Sequence, residues 1–184
     1  GDEAVFRLIA ARAAADLTFI RTQGARIANI PNRMEGYPVD QFHRMAICYD
    51  FDRTLSPDDM QAYAFIPSVA FDKDTFWQQS NEDAVRNHMD RNLAWMKKML
   101  DEAIHARQSI RREAFFEQGK AVELYAGLDS WFESINAYAE QKGVTVTHYV
   151  ISSGLKEMIE GTAIARHFSR IYASTFLYNT DGVA

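Results

Sequence analysis

Two aspartates spaced two residues apart, Asp50 and Asp52, are the residues of this chain best suited to chemistry. They follow the apolar run at 45–49, which has the length and composition of a buried strand. If the chain begins to turn at Phe51, both carboxylates converge just beyond the end of that strand. Carboxylates held so close repel each other, and a bound divalent cation relieves the repulsion. We therefore expect a Mg²⁺ site at Asp50 and Asp52, because Mg²⁺ prefers carboxylate and water oxygens.

A second strand end with polar groups lies at Ser152, Ser153 and Gly154, after the apolar run at 149–151. A sharp turn here would place a hydroxyl and consecutive backbone N–H groups at the start of a helix, which suits a phosphate or another anion. In open parallel sheets, ligands bind outside the carboxyl ends of the strands. The two strand ends together predict a pocket for a metal and a phosphate, in which a carboxylate could attack phosphorus.

Hydrophobic periodicity predicts the elements that must position these residues. Helices are expected at 3–22, 83–106, 110–119, 128–141 and from 155, and strands at 44–50, 144–151 and 170–173, before a hairpin at 175–184. The first strand is continuously apolar over 45–49, including Cys48, as in a strand buried on both faces. Strands alternating with helices indicate a parallel α/β sheet, and the strand-free block at 58–120 is best explained as a helical insertion.

The composition of the chain argues against several classes of protein. The chain has 184 residues, 47% hydrophobic and 24% charged, with a net charge of −5. An acidic balance argues against a nucleic-acid partner, and no apolar run approaches the roughly 20 residues that span a bilayer. One cysteine excludes an intramolecular disulfide and favours a reducing cytoplasm. We expect a cytoplasmic protein with no nucleic-acid or membrane partner.

The two motifs carry a family resemblance. The segment Asp50-Phe51-Asp52-Arg53-Thr54 matches the DxDxT signature of the haloacid dehalogenase (HAD) superfamily of phosphohydrolases, and 150–154 resembles its second motif, closest to the phosphoserine-phosphatase-like branch. The long helical segment between them fits a cap inserted after the first motif. The resemblance implies a doubly wound, Rossmann-like parallel-sheet core at 44–57 and 121–184 and a helical cap at 58–120.

The resemblance also implies roles for individual residues. Asp50 would be the nucleophile and a Mg²⁺ ligand, and Asp52 the general acid and base as well as a metal ligand. Thr54 would hold the loop by hydrogen bonds. Ser152 would bind the phosphoryl oxygens, helped by the N–H of Ser153. The expected activity is Mg²⁺-dependent hydrolysis of a small phosphate monoester through an aspartyl-phosphate.

The chain departs from the family pattern after the second motif. Members need a later lysine and a later acidic GDxxxD-like motif, yet no lysine follows Lys156, and Asp181 has no acidic residue behind it. Either the chain is part of a longer phosphatase or it is naturally degenerate. Alternatives are therefore a catalytically incomplete metal- or phosphate-binding module, and a phosphotransferase or mutase.

Other segments have simpler interpretations. The N-terminal helix and arm at 1–43 are predicted to pack on the core or on a partner, which includes a homo-oligomer formed through that helix. The aromatic residues Phe71, Phe76 and Trp77 are predicted to pack inside the cap rather than to form a lid over substrate. The family resemblance does not identify the substrate, which the cap would select.

Overall fold

The computed structural model describes residues 43–184, so the predicted helix at 3–22 and nearly all of the following arm lie outside the described residues. Strands β1 (Arg44–Tyr49), β2 (Thr145–Leu155) and β3 (Arg170–Ser174) form a parallel sheet in the order β1-β2-β3. The α/β class with a Rossmann-like parallel sheet is therefore confirmed. The described helices are α1 (Phe65–Ser68), α2 (Lys73–Arg86), α3 (Arg91–His105), α4 (Arg112–Gly119), α5 (Leu128–Glu140) and α6 (Lys156–Gly161), with 3₁₀ turns at Met60–Ala62 and Ala165–His167.

Strand β1 is covered on one face only, within the described part of the chain. Ile47 and Tyr49 pack against the core, whereas Cys48 is exposed. The prediction of a strand buried on both faces was wrong in this respect. The continuous apolar run suggested two covered faces, but residues 43–184 cover only the face that carries Ile47 and, on β2, Val150.

A chain of hydrogen bonds runs through the covered face of the sheet. The Trp131 indole N–H donates to the Tyr49 hydroxyl at 2.9 Å, Tyr49 lies 2.9 Å from His148 Nδ1, and His148 Nε2 lies 2.9 Å from Asn136 Oδ1. One arrangement satisfies every group: Tyr49 donates to Nδ1 and Nε2–H donates to Asn136. It requires a neutral imidazole. The network joins α5 to both strands directly before Asp50.

The helical insertion contains two helices where one long helix was predicted at 83–106. Helix α2 ends in a left-handed residue, His88, with φ of 52°, and the Met89 N–H donates to the Ala84 carbonyl at 3.0 Å. This is the Schellman pattern of a helix end. The Asp90 side chain then accepts from the N–H of Leu93 and caps α3. The amphipathic spacing continues across the break, so only the capping residues mark the break in the sequence.

Helix α4 packs closely on α6. A Cβ on Gly119 would lie 2.1 Å from the Met158 carbonyl oxygen, and one on Gly161 would lie 2.0 Å from that of Phe116. Only glycine at both positions permits this distance between the helices. The last helix of the predicted cap thus contacts the core. The boundaries at 58 and 120 stay predictions.

The prediction of a hairpin at 175–184 was wrong: the described residues form a turn at 180–182 without flanking strands. The Asn179 N–H donates to the Val183 carbonyl at 2.9 Å, and Gly182 has a φ of 74°. The returning residues pair with the segment before α4, through an antiparallel bridge between Arg111 and Val183. Among residues 43–184 no helix is both long enough and apolar enough to cross a membrane.

We predict that His148 makes the fold sensitive to acid. Burial lowers the pKa of His148 from 6.5 to about 4, so the unfolded chain takes up a proton that the folded chain refuses. The free energy of unfolding should fall by about 1–3 kcal/mol as the pH drops from about 6.5 to about 4. Urea titrations at several pH values should show a shallower fall for His148→Gln. The exposed His105→Gln is the control, and an equal fall in both variants would contradict the assignment.

Candidate active site

The loop after β1 is held by its backbone and its apolar side chains. The Phe51 carbonyl accepts from the N–H groups of Thr54, Leu55 and Ser56 at 3.2, 2.8 and 3.2 Å. Phe51 and Leu55 are buried in the core. The predicted support of the loop by Thr54 stays a prediction, because the bond that it makes within the turn comes from its backbone N–H, which any residue but proline would supply. Its side chain is exposed, with no hydrogen bond to another described residue.

Asp52 points into the junction between this loop and the end of β2. Its Oδ1 accepts from the Met60 N–H at 2.8 Å. A Cβ on Gly154 would lie 3.0 Å from Asp52 Oδ2 and 2.2 Å from Met60 Cε. Glycine at position 154 therefore allows β2 to pass directly beside the carboxyl group. The Gly154 predicted from the second motif does adjoin the carboxylate of the first.

The surroundings of Asp52 favour its neutral form. Burial raises its pKa to about 7, the Met60 N–H opposes the rise, and the nearby carboxylates of Asp59 and Asp50 add to it. A carboxyl group that titrates near neutral pH can both give and take a proton under physiological conditions. Asp52 is thus suited to general acid–base chemistry.

Asp50 has a different environment. It is exposed at the end of β1, and its Oδ1 accepts from the Phe51 N–H at 2.7 Å. Two carboxyl groups in such unequal surroundings commonly take different roles in a reaction. An exposed carboxylate beside a half-buried, protonatable one is an arrangement suited to a nucleophile and an acid.

The end of β2 differs from the sharp turn predicted at Ser152, Ser153 and Gly154. The strand continues to Leu155 with an irregularity in its pairing after Ile151. Ser152 Oγ accepts from the Gly154 N–H at 3.0 Å. Helix α6 begins later, at Lys156, so Ser152 does not cap it. The prediction of a strand ending at residue 151 was wrong because Leu155 pairs with Ser174 of β3 beyond the irregular segment.

A cavity of about 540 Å³ opens at these two strand ends. It is lined by Asp50, Asp52, Arg53, Asp59, Gln61, Lys73, Asp74, Trp77, Asn81, Trp95, Ser153 and Gly154. The structure thus brings together four of the predicted site residues, whereas Ser152 and Thr54 are not among the lining residues. Helices α2 and α3 supply the opposite wall. Trp77, predicted to pack inside the cap, contributes to this wall, while Phe76 is fully buried as expected.

Two cations in the cavity come from residues that the motifs did not identify. Arg53 pairs with Asp59 at 3.0 Å, and Lys73 pairs with Asp58. Lys73 is the first residue of α2, whose N-cap Asp72 accepts from the Thr75 N–H at 2.9 Å. That capping pattern is a signal in the sequence that Lys73 begins a helix, but it does not place that helix beside the pocket.

The two aspartates of the predicted metal site, Asp50 and Asp52, both line the cavity. Residues 43–184 contain no group of three or more His, Cys, Asp or Glu residues arranged to hold a metal ion. Mg²⁺ in phosphate-processing sites is often held by one or two carboxylates together with substrate phosphate and water. The donor set of Asp50 and Asp52 is therefore compatible with Mg²⁺ only if substrate and water complete it.

Comparison with solved structures identifies the fold. A HAD family hydrolase from Salmonella enterica subsp. enterica serovar Typhi superposes with a TM-score of 0.52, at 15% identity, over 76% of this chain and 43% of that one. The chain has the fold of a HAD family hydrolase. A phosphoserine phosphatase in a phospho-aspartyl intermediate analogue gives a TM-score of 0.49 at 11% identity, over 76% of this chain and 60% of its own.

Sequence comparison finds a similar curated protein. An uncharacterized protein of Borreliella burgdorferi is 26% identical over a 152-residue alignment that covers 72% of this chain and 50% of that protein. No protein-family model matches. The chain spans about half the length of the curated relative it matches.

We predict that replacing Asp52 with Asn stabilises the protein at alkaline pH. Because its pKa is raised from 3.8 to about 7, Asp52 costs the folded state stability as the pH rises from about 4 to 7, and the full cost remains above pH 7. Asparagine keeps the acceptor for Met60 without the charge. With chelator present, Asp52→Asn should raise the free energy of unfolding by about 1–3 kcal/mol more at pH 8 than at pH 4.

The matched control is the exposed Asp74→Asn, which lines the same cavity. Its effect should be small and nearly independent of pH. Equal effects of the two substitutions at pH 8 would show that Asp52 is not buried as an unfavourable charge.

Proposed function

We propose that this protein hydrolyses small phosphate monoesters through an aspartyl-phosphate on Asp50. The observation that carries the proposal is the position of Asp52. Its half-buried carboxyl group has a pKa raised to about 7 and lies two residues from the exposed Asp50 on the same cavity. The HAD fold supports the same reaction class. Positioning and charge neutralisation would supply most of the rate.

In the first step, a carboxylate oxygen of Asp50 attacks the phosphorus atom of the ester. The bond between phosphorus and the ester oxygen breaks, and its electron pair goes to the leaving alcohol. Asp52, in its neutral form, gives its proton to that oxygen. The Met60 N–H stabilises the carboxylate that remains, because it donates to Asp52 Oδ1.

In the second step, Asp52 accepts a proton from water as the water oxygen attacks phosphorus. The bond between phosphorus and Asp50 breaks, which releases inorganic phosphate and restores both carboxyl groups to their starting states. The same group acts first as acid and then as base, which requires a pKa near the working pH. The raised pKa of Asp52 meets this requirement.

The phosphoryl oxygens need positive partners beside Asp50. Ser153 and Gly154 line the cavity on the β2 side, and Lys73 lines it from α2. We propose that the Ser152 O–H, the Ser153 N–H and the Lys73 ammonium bind the phosphoryl group, because the Gly154 N–H already donates to Ser152 Oγ at 3.0 Å. Lys73 would exchange its ion pair with Asp58 for the substrate phosphate.

We propose that Mg²⁺ is the cofactor. Asp50 would bind the Mg²⁺ ion through its carboxylate, and Asp52 would be the second protein ligand. When bound, it would neutralise part of the charge on the phosphoryl oxygens. We further propose a cytoplasmic enzyme that acts on a soluble substrate, without a nucleic-acid or membrane partner.

A second candidate is a phosphate- or metal-binding module without turnover. The observation that favours it is the lack of a third acidic ligand beside Asp50 and Asp52 among residues 43–184. Transfer to an alcohol in place of water would make the chain a phosphotransferase or mutase. Product analysis with and without added alcohols separates transfer from hydrolysis.

We predict that Asp50→Asn abolishes turnover of p-nitrophenyl phosphate. An amide oxygen is too weak a nucleophile, so the release of nitrophenolate should fall by at least about 10³-fold. The exposed Asp129→Asn on α5 is the control and should keep the wild-type rate. Activity retained in purified Asp50→Asn would sink the assignment of the nucleophile.

Mg²⁺ should raise the melting temperature of the wild-type chain. A ligand that binds only the folded state stabilises it in proportion to the logarithm of its concentration above Kd. The shift should disappear in Asp50→Asn, as measured by differential scanning fluorimetry at millimolar Mg²⁺. An unchanged wild-type melting curve would show that the metal site of this chain is incomplete.

A further inference from the structure

Two cationic side chains of the described residues line the cavity, and each is paired with one of two consecutive aspartates. Lys73 pairs with Asp58, and Arg53 Nη2 lies 3.0 Å from Asp59 Oδ2. The aspartates belong to the segment between the loop after β1 and the 3₁₀ turn at Met60–Ala62. The positive charges that could attract a phosphate are therefore already opposed by carboxylates of the protein itself.

The carboxylate of Asp58 is held in place by the backbone. Its Oδ1 accepts from the Asp59 N–H at 2.8 Å, and the Asp59 carbonyl accepts from the Ala62 N–H at 2.9 Å. Lys73 reaches Asp58 from the first turn of α2 through a flexible four-carbon stem. Its ammonium can therefore exchange Asp58 for another anion without a change in the backbone.

The charges that line the cavity make its two cations the points at which an anion can bind. The lining residues include four aspartates and two basic residues: Asp50, Asp52, Asp59, Asp74, Arg53 and Lys73. A phosphate dianion is repelled by ionised carboxylates and attracted by the two cations. An anion that binds Lys73 or Arg53 must therefore displace the carboxylate that already pairs with it.

We infer that Asp58 and Asp59 are an intramolecular competitor of phosphate, which pairs with Lys73 and Arg53 until a phosphoryl group displaces it. This rests on the proposed phosphatase function and identifies a control on its affinity for phosphate. The competition weakens the binding of substrate and of inorganic phosphate alike. After hydrolysis, the two ion pairs re-form as inorganic phosphate departs, so the competitor favours release of the product.

The exposure of the two pairs determines whether phosphate can displace them. The side chains of Lys73 and Asp58 are 37% and 32% exposed, and those of Arg53 and Asp59 are 66% and 20% exposed. Ion pairs with this exposure are weak, so a phosphate dianion can replace the carboxylate. A pair that only tethered α2 to the loop would stabilise the fold without any effect on the affinity for phosphate.

The experiment measures the binding of inorganic phosphate to the whole chain by calorimetry at millimolar Mg²⁺. Asp58→Asn and Asp59→Asn should each tighten the binding about two- to fivefold, as expected for the loss of a weak competing pair. The gain from Asp58→Asn should vanish when Lys73→Met is also present, and the gain from Asp59→Asn when Arg53→Met is present. The control Asp74→Asn removes a carboxylate from the same cavity, leaves both pairs in place, and should change the affinity by less than about twofold.

Unchanged or weaker binding of phosphate in Asp58→Asn or Asp59→Asn overturns the inference for that pair and leaves the phosphate site standing. A gain that persists beside Lys73→Met or Arg53→Met, or an equal gain in Asp74→Asn, also overturns it, because the loss of negative charge alone would then explain the gain. If no variant binds phosphate although the wild-type chain hydrolyses p-nitrophenyl phosphate, only the inference fails. If the wild-type chain neither binds phosphate nor hydrolyses that ester, the proposed function fails as well.

Discussion

The hydrogen bond from the Met60 N–H to Asp52 is the contact on which the candidate site depends. It holds a carboxyl group in the junction between the loop after β1 and the end of β2. The close passage of Gly154 shields that carboxyl group from water on its other side. Burial then raises the pKa of Asp52 to about 7, while Asp50 remains exposed at the strand end. The division of roles between the aspartates follows from this asymmetry.

The rest of the fold keeps these two strand ends together. Parallel pairing sets Tyr49 beside Val150, so β1 and β2 deliver their next residues to the same edge of the sheet. The hydrogen bonds among Tyr49, His148 and α5 fix that register, because a slip would unpair several buried polar groups. A buried aspartate costs stability, and such costs are common where a site is arranged for chemistry.

Much of the fold and part of the site could be predicted from the sequence. Hydrophobic periodicity predicted the alternation of strands and helices and the parallel sheet. The motifs around Asp50 and Gly154 predicted the two strand ends that carry polar groups. The break before Asp90 was missed because apolar spacing continues through it. Three lining residues were not predicted as site residues: Gln61, Lys73 and Trp77. Tertiary packing of the helical insertion brings them to the cavity, and no local sequence pattern predicts that packing. The homo-oligomer through the N-terminal helix stays a prediction.

A direct titration of the Asp52 carboxyl group tests the central claim most sharply. The chemical shift of its ¹³Cγ can be followed by NMR from pH 3 to pH 9 in metal-free protein, with Asp52→Asn used to assign the signal. A midpoint near 7 is expected, because burial raises the pKa of Asp52 by more than the Met60 N–H lowers it. A midpoint near the ordinary aspartate value of about 4 would contradict it, because Asp52 would then be fully ionised at neutral pH and could not act as the acid.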